Sequence, residues 1–270
     1  MKEEFNTFIK QELLYSCDLN YELALKKCLE HNERKCSWYH SAWQYMRLLD
    51  IAPSPTWHFE FYFDAFNSVI CNESKILVSA TADYSILALI NFVALKKKVR
   101  PLIWVCDVCP TPLLMCKNFA AKHGLNLKLI SGNILSIDIT ERFDVITSDA
   151  FLTRFTFSEK NKLLGKWNSL LNPDGKIITT VRIGNSMRKC KKSAHSDKIK
   201  KFKNEIENRV LSLPELANKA LRISNLAGGL ISNITSNAFA NTAGVKNIFS
   251  IHSLPVIFGT VRIIENGLKQ

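Results

Sequence analysis

The sequence has no apolar run near the roughly 20 residues a helix needs to cross a bilayer, so a membrane span is not expected. Its first residues, MKEEFNTFIKQELL, are acidic and amphipathic rather than shaped like a signal peptide, which makes a cytoplasmic setting the expectation. Glycine is missing from the turn where it would say most. A short β-branched run at residues 76–78 passes through Ser79, Ala80, Thr81 and Ala82 into a helical pattern, with none of the glycines of a dinucleotide-binding fingerprint. The basic stretch 187–203 holds eight Lys or Arg against one acidic residue, yet only one aromatic, Phe202, and no recognisable RNA or DNA module. A solvated helix face is the expectation there, with nucleic acid the less favoured partner.

What is present points to one substantial core. The chain has 270 residues, 47% of them hydrophobic, and a formal net charge of +12 from 36 Lys and Arg against 24 Asp and Glu. Much of that excess is lysine, and a compositional bias explains it without a polyanionic partner. The eight cysteines, without a sign of export, read as reduced thiols. Cys28, His31, Cys36 and His40 have a C-x2-H-x4-C-x3-H spacing that offers four zinc ligands. No glycine or proline breaks that segment, however, and one helix would have to fold back on itself to close the site. Cys106, Cys109 and Cys116 in VCDVCPTPLLMC read as packing residues, with prolines after the second. The expectation is no metal.

Residues 1–70 read as a helical cap crowded with aromatics, among them Trp38, Tyr39, Trp43, Tyr45, Trp57 and Tyr62, and suited to act as a lid. From residue 71 onward the pattern alternates strand and helix. KILVS, LIWVCDV, LNLKLIS, RFDVITSDAF and KIITTVRIG are the strands, with a helix after the first, the second, where Gly124 closes it, and the fourth. A helical insertion is expected near 187–240, and NIFSIHSL and GTVRIIENG are expected to pair as an antiparallel edge hairpin. The fold class is therefore α/β, a doubly wound, mostly parallel sheet with an N-terminal helical cap.

Ligands of such sheets bind beyond the carboxyl ends of the strands, which singles out a few residues. Asp83 can cap the helix after the first strand, whose free N–H groups and positive dipole end favour an anionic group. Asp107 ends the second strand, where a carboxylate can accept both hydroxyls of a ribose. Ser131, Gly132 and Asn133 end the third, and an amide there can read the edge of an adenine. Ser148, Asp149, Ala150 and Phe151 end the fourth.

Together these stretches resemble the class I S-adenosylmethionine-dependent methyltransferase family over roughly residues 74–184. The resemblance rests on ILVSATADYS as cofactor loop, VCDV as ribose-binding strand end, SGNIL as adenine region, RFDVITSDAF as fourth strand and LLNPDGKIITTVRIG after it. It implies a Rossmann-like methyltransferase fold with S-adenosylmethionine as cofactor. Ser79, Ala80, Thr81, Ala82, Asp83 and Tyr84 would hold the methionine side, Asp107 and Val108 the ribose, and Asn133 and Ile134 the adenine. Asp149 would face the reacting centre and is the candidate base. The sequence departs from the family at Val78, where an acidic residue is usual, at Ala80, Ala82 and Tyr84, where glycines are usual, and at Asn133, where Asp is usual. The function implied is methyl transfer to a small-molecule acceptor. Intramolecular cyclisation or aminocarboxypropyl transfer, a non-catalytic partner subunit and an RNA methyltransferase are the alternatives. The acceptor and the oligomeric state stay open.

Overall fold

A computed structural model of the chain describes residues 1–28, 30–31, 34–52, 54–184, 192–234 and 237–254. The cap consists of α1 (Lys2–Lys27), a hairpin of two very short strands, β1 (Glu30–His31) and β2 (Arg34–Lys35), then α2 (Ser37–Leu48), a 3-10 turn (Pro55–His58) and α3 (Phe59–Val69). The alternating part follows as β3 (Lys75–Ser79), α4 (Ser85–Lys97), β4 (Leu102–Asp107), α5 (Pro110–His123), β5 (Leu127–Ser131), β6 (Phe143–Ser148), α6 (Phe157–Leu170) and β7 (Leu171–Thr179). Three further helices, α7 (Lys192–Leu211), α8 (Ala220–Asn233) and α9 (Thr242–Ser250), complete the described chain. Among the described residues no helix is long and apolar enough to cross a membrane.

The five longer strands form one sheet, all parallel, in the order β5-β4-β3-β6-β7. β3 is central because it can afford burial on both faces: Ile76, Leu77 and Val78 are at most 1% exposed. From β3 the chain winds outward first to β4 and β5, then returns to β6 and β7. The switch point of the sheet therefore lies between β3 and β6, where the crevice for a ligand opens in doubly wound folds. Register aligns the carboxyl ends, with Ser79 beside Cys106 and Asp107 beside Ser131.

Local sequence explains the helices around the sheet. α4 is buried almost all round, from Ile86 to Val93, because it packs between the sheet and the aromatic face of α3, where Phe59, Tyr62, Phe63 and Phe66 share one cluster with it. α5 starts on Pro110 and stops at Gly124, whose φ of 65° ends the helix in the left-handed conformation. Thr156 and Glu159 close a reciprocal capping box at the start of α6. The NPDG stretch lies inside β7, at a register shift opposite Phe143 and Val145. α7 and α8, within the expected insertion, pack onto α2: Ile206, Val210, Ile223 and Ala227 share an apolar cluster with Tyr45 and Met46. Lys198, Lys200 and Lys201 face solvent on the other side of α7, while residues 185–191 of the basic stretch lie outside the described residues.

The C-terminal edge differs from expectation. NIFSIHSL does not form a strand: its first four residues end α9, capped by the Asn241 side chain, which accepts from the Gly244 N–H. Val245, Ile248 and Phe249 recur at three- and one-residue spacing, the pattern of a helix face, and that face packs in the cluster around α6. GTVRIIENG lies outside the described residues, so no antiparallel hairpin forms among those described.

The turn after β3 meets the need for glycine without one. Ala80 takes φ of 63°, left-handed for an L-residue, and its N–H donates to the Cys106 carbonyl at 2.8 Å. That conformation costs an L-residue roughly 1–2 kcal/mol, and glycine gives part of it back through its freer unfolded chain. Ala80→Gly is therefore expected to stabilise the fold by about 0.5–1 kcal/mol, read from urea unfolding at unchanged slope; a loss of stability would show that the methyl group packs in the turn.

Candidate functional site

The Asp107 carboxylate ends β4 and is held by backbone alone. Its Oδ1 accepts from the Cys109 N–H at 2.8 Å and its Oδ2 from the Thr81 N–H at 3.1 Å. Burial pushes its pKa up to about 6, opposed by the Cys109 N–H, the charge of His40 and the Thr81 N–H. A carboxylate that keeps unused lone pairs in a poorly solvated place is a strong acceptor for hydroxyl donors. Beside it Val108 is 38% exposed, an apolar surface with no core to join. Asn133 is exposed at the end of β5, with its Oδ1 accepting from the Leu135 N–H at 3.0 Å, whereas Ile134 is buried in the cluster under β6.

The loop after β3 divides in two. Ala80, Thr81 and Ala82 are part-exposed, and the Thr81 hydroxyl donates to the Asp83 carbonyl. Ser79, Asp83 and Tyr84 turn their side chains inward. The Ser79 hydroxyl accepts from Trp167 Nε1 at 2.9 Å inside the core. The Tyr84 ring stacks on Phe119 with centroids 4.8 Å apart, and its hydroxyl lies 2.7 Å from that of Ser16. Asp83 is wholly buried: Oδ1 accepts from the Ser85 N–H and hydroxyl, and Oδ2 is ion-paired with Arg47 of α2. What these three can offer a ligand is backbone. Arg47 is itself only 6% exposed, and its Nε and Nη2 are buried with no hydrogen-bond partner among the described residues.

Asp149 stands just beyond β6, where the cap meets the sheet. Tyr62 of α3 donates to the Ser148 carbonyl at 2.8 Å and reaches Asp149 Oδ1 at 3.3 Å, and the Thr180 hydroxyl donates to the same oxygen. Burial raises the Asp149 pKa, and the Thr180 bond, the His58 charge, the Tyr62 bond and the Arg47 charge oppose that rise. Ala150 follows with φ of 50°. Arg154 lies over the Tyr39 ring at 5.1 Å, so two cap aromatics, Tyr39 and Tyr62, border this end of the crevice. The structure thus brings Asp107, Val108, Thr81 and Asn133 to the strand ends and adds Arg47, Tyr62 and Thr180, which the sequence reading missed. Arg47 did leave a signal, since it is a lone charge on the apolar face of SAWQYMRLL.

The cysteine expectation needs correction. α1 ends at Lys27, and the β1–β2 hairpin reverses the chain so that α2 runs back beside α1, although no glycine or proline marks the turn. Cys28, Cys36 and His40 thereby meet, and Cys109, at the start of α5, joins them; the ligand atoms of these four residues all lie within 4.8 Å of one another. None of the seven described cysteines is in a disulfide.

Arg47 tests the electrostatics of the site directly. Arg47→Met leaves a buried carboxylate without its counter-charge, and the expected loss is about 3–5 kcal/mol of stability. Adding Asp83→Asn should recover most of it in thermal or urea unfolding; equal losses in the single and double variants would show that packing, not charge, sets the effect.

No protein-family model matches the chain, and no curated protein resembles it significantly in sequence. Among solved structures it is similar to an S-adenosylmethionine-dependent methyltransferase from Clostridium acetobutylicum, at 14% identity and a TM-score of 0.37, over 50% of this chain and 58% of that one. A putative O-methyltransferase from Nostoc punctiforme matches at 17% identity and a TM-score of 0.48, over 89% of this chain and 62% of that one. An N-methyltransferase from Bradyrhizobium japonicum, in complex with S-adenosyl-L-homocysteine, matches at 15% identity and a TM-score of 0.42, over 59% and 71%. The chain spans less than two thirds of the first two. What the chain has in its own strand order is a doubly wound parallel sheet.

Proposed function

We propose that the chain is an S-adenosylmethionine-dependent methyltransferase acting on a small-molecule acceptor. The observation that carries this reading is Asp107: a half-buried carboxylate fixed by two backbone N–H groups, beside an exposed Val108 and an exposed Asn133, at the carboxyl ends of adjacent strands. That set suits a nucleoside, with hydroxyls for the carboxylate, a base face for Val108 and a base edge for the Asn133 amide. The remainder of the cofactor fits as well. Ala80 and Ala82 carry no side chain beyond Cβ, so a chain can approach the loop backbone, and the unpartnered Nε and Nη2 of Arg47 suit the carboxylate of a methionine moiety.

Bound S-adenosylmethionine supplies an electrophilic methyl group on a sulfonium, and the protein's share is alignment. Asp107 and Val108 fix the nucleoside end, Arg47 and the backbone of residues 80–84 the amino-acid end. Asp149, steadied on Oδ1 by Thr180 and Tyr62, is placed to accept a hydrogen bond or a proton from the acceptor. Tyr62 beside Asp149 and the Arg154 guanidinium over the Tyr39 ring are aromatic and cationic groups of the kind that suit a small-molecule acceptor.

One observation favours a second reading of the same cofactor site. The Asp83 carboxylate is consumed by Arg47 and Ser85, so it is not on offer to hold the methionine amine. An amine held less firmly suits cyclisation or aminocarboxypropyl transfer. Calorimetric titration of the purified chain with S-adenosylmethionine is expected to give micromolar binding, on the order of −8 kcal/mol, weakened at least tenfold, or about 1.4 kcal/mol, by Asp107→Ala. Mass spectrometry of the product separates the chemistries, because methyl transfer leaves S-adenosylhomocysteine and the alternative leaves methylthioadenosine. Absence of binding to the folded chain would remove the cofactor assignment and leave a partner subunit as the account.

A further inference from the structure

The geometry points to a zinc ion held by Cys28, Cys36, His40 and Cys109, a closed four-ligand site that fastens the cap to the sheet. Cys28 Sγ lies 3.3 Å from His40 Nδ1 and 3.7 Å from Cys109 Sγ, Cys109 Sγ lies 3.6 Å from Cys36 Sγ and 3.5 Å from His40 Nδ1, and all four ligand atoms fall within 4.8 Å of one another. A tetrahedron with zinc–sulfur bonds of about 2.3 Å and zinc–nitrogen bonds of about 2.0–2.1 Å has sulfur–sulfur edges of about 3.8 Å and sulfur–nitrogen edges of about 3.6 Å. Four of the six edges, at 3.3, 3.5, 3.6 and 3.7 Å, match such a tetrahedron closely, and the other two do not exceed 4.8 Å. They are too long for a disulfide, whose sulfurs sit about 2.05 Å apart, and too close together for an iron–sulfur cluster, whose ligands must reach around more than one iron.

The ligand chemistry selects the metal. Three thiols and one imidazole are a soft to borderline set, and four protein ligands in tetrahedral array define a structural zinc site with no open position for catalysis. On binding, the three thiols lose their protons to solvent and the neutral imidazole gives its Nδ1 lone pair, so the site carries a net charge of about −1. Thr111 Oγ1, 3.3 Å from Cys28 Sγ, is in reach to donate to the resulting thiolate, and Asn20 Nδ2 donates to the His40 carbonyl at 2.6 Å, fixing the backbone behind the imidazole. Between Cys28 and Cys36 the sequence LEHNERK holds a single apolar residue, so it offers little apolar side chain of its own to keep the segment folded back. A metal supplies that closure. Cys109, from the other side of the contact, follows Asp107 by two residues, so the ion would also set the strand end on which the Asp107 carboxylate sits. The site stands whether or not the chain binds S-adenosylmethionine.

The test is the metal content of the full-length chain, purified from zinc-supplemented medium without chelators, by inductively coupled plasma mass spectrometry with thiol titration alongside. The expected result is one zinc ion per chain, falling at least tenfold in Cys109→Ser and in His40→Ala and unchanged in Cys71→Ser, which alters an exposed cysteine outside the cluster. Exchange of wild-type protein with cobalt should give the visible bands and the sulfur-to-cobalt charge-transfer band of tetrahedral thiolate coordination; this readout needs no variant to fold. Folded wild-type protein that carries no zinc and gives no such cobalt spectrum overturns the inference. So does a disulfide joining any two of Cys28, Cys36 and Cys109 in freshly purified protein.

Discussion

The buried ion pair between Arg47 and Asp83 is the constraint on which the site depends. Both side chains are within 1% of complete burial, so each has lost its hydration and each is tolerable only because of the other. The pair reaches further than two residues. Asp83 also receives the Ser85 N–H, which sets the first turn of α4, and its carbonyl receives the Thr81 hydroxyl, which sets the loop. Thr81 in turn gives its N–H to Asp107, and Asp107 takes a second N–H from Cys109. A continuous run of hydrogen bonds therefore links α2 of the cap to the end of β4. It returns to α2 through the thiol of Cys109 and the imidazole of His40, which stands two helical turns before Arg47 on the same helix.

Backbone conformation does in this chain what glycines do in other loops of this shape. Ala80 and Ala150 both take positive φ, and they sit at the carboxyl ends of β3 and β6, the two strands that flank the switch point. Each costs free energy, and such strain persists only where surrounding bonds over-determine the geometry. Ala80 is held by its N–H on the Cys106 carbonyl and Ala150 by its N–H on the Thr180 hydroxyl. The crevice is thus shaped by strain on both sides of its opening, and small side chains keep the strain affordable.

The sheet was legible because its signals are local. Short strands rich in apolar and β-branched residues, two of them (β3 and β4) leading straight into a helical pattern, specify β3 through β6 from local sequence. The ends of those runs placed Asp107 and Asp149 for the same reason. What stayed hidden depends on partners far away in sequence. Nothing near Asp83 says that its carboxylate is neutralised by a residue 36 positions earlier, and nothing in C-x2-H-x4-C-x3-H says that Cys109 will complete the cluster. The β1–β2 hairpin was missed because Glu30, His31, Arg34 and Lys35 carry no turn residue and no alternation; the fold-back is decided by what Cys28 and His40 meet, not by propensity. At the other end, NIFSIHSL reads as strand by residue type and is helix by the spacing of Val245, Ile248 and Phe249, and burial against α6 decides between the two.

These ties bear on the idea of the cap as a lid. The cap touches three adjacent strand ends: Arg47 and Asp83 beyond β3, His40 and Cys109 beyond β4, Tyr62 and Ser148 at β6. Lifting it would strip a counter-charge from one buried carboxylate and leave the Tyr62 hydroxyl and the Ser148 carbonyl unpaired, several kcal/mol in all on the order of 3–5 for the ion pair alone. The cap is thus tied to the sheet at three points. At the carboxyl edge, Val108 beyond β4 and Asn133 beyond β5 are exposed. On the proposed reading, a nucleoside entering there would meet Asn133 and Val108 beside Asp107, with the loop of residues 80–84 next to them. The exposed apolar and amide groups that have no role in packing the core therefore stand at the open side, while the part-exposed residues 80–82 and the buried Arg47–Asp83 pair lie on the side where α2 packs.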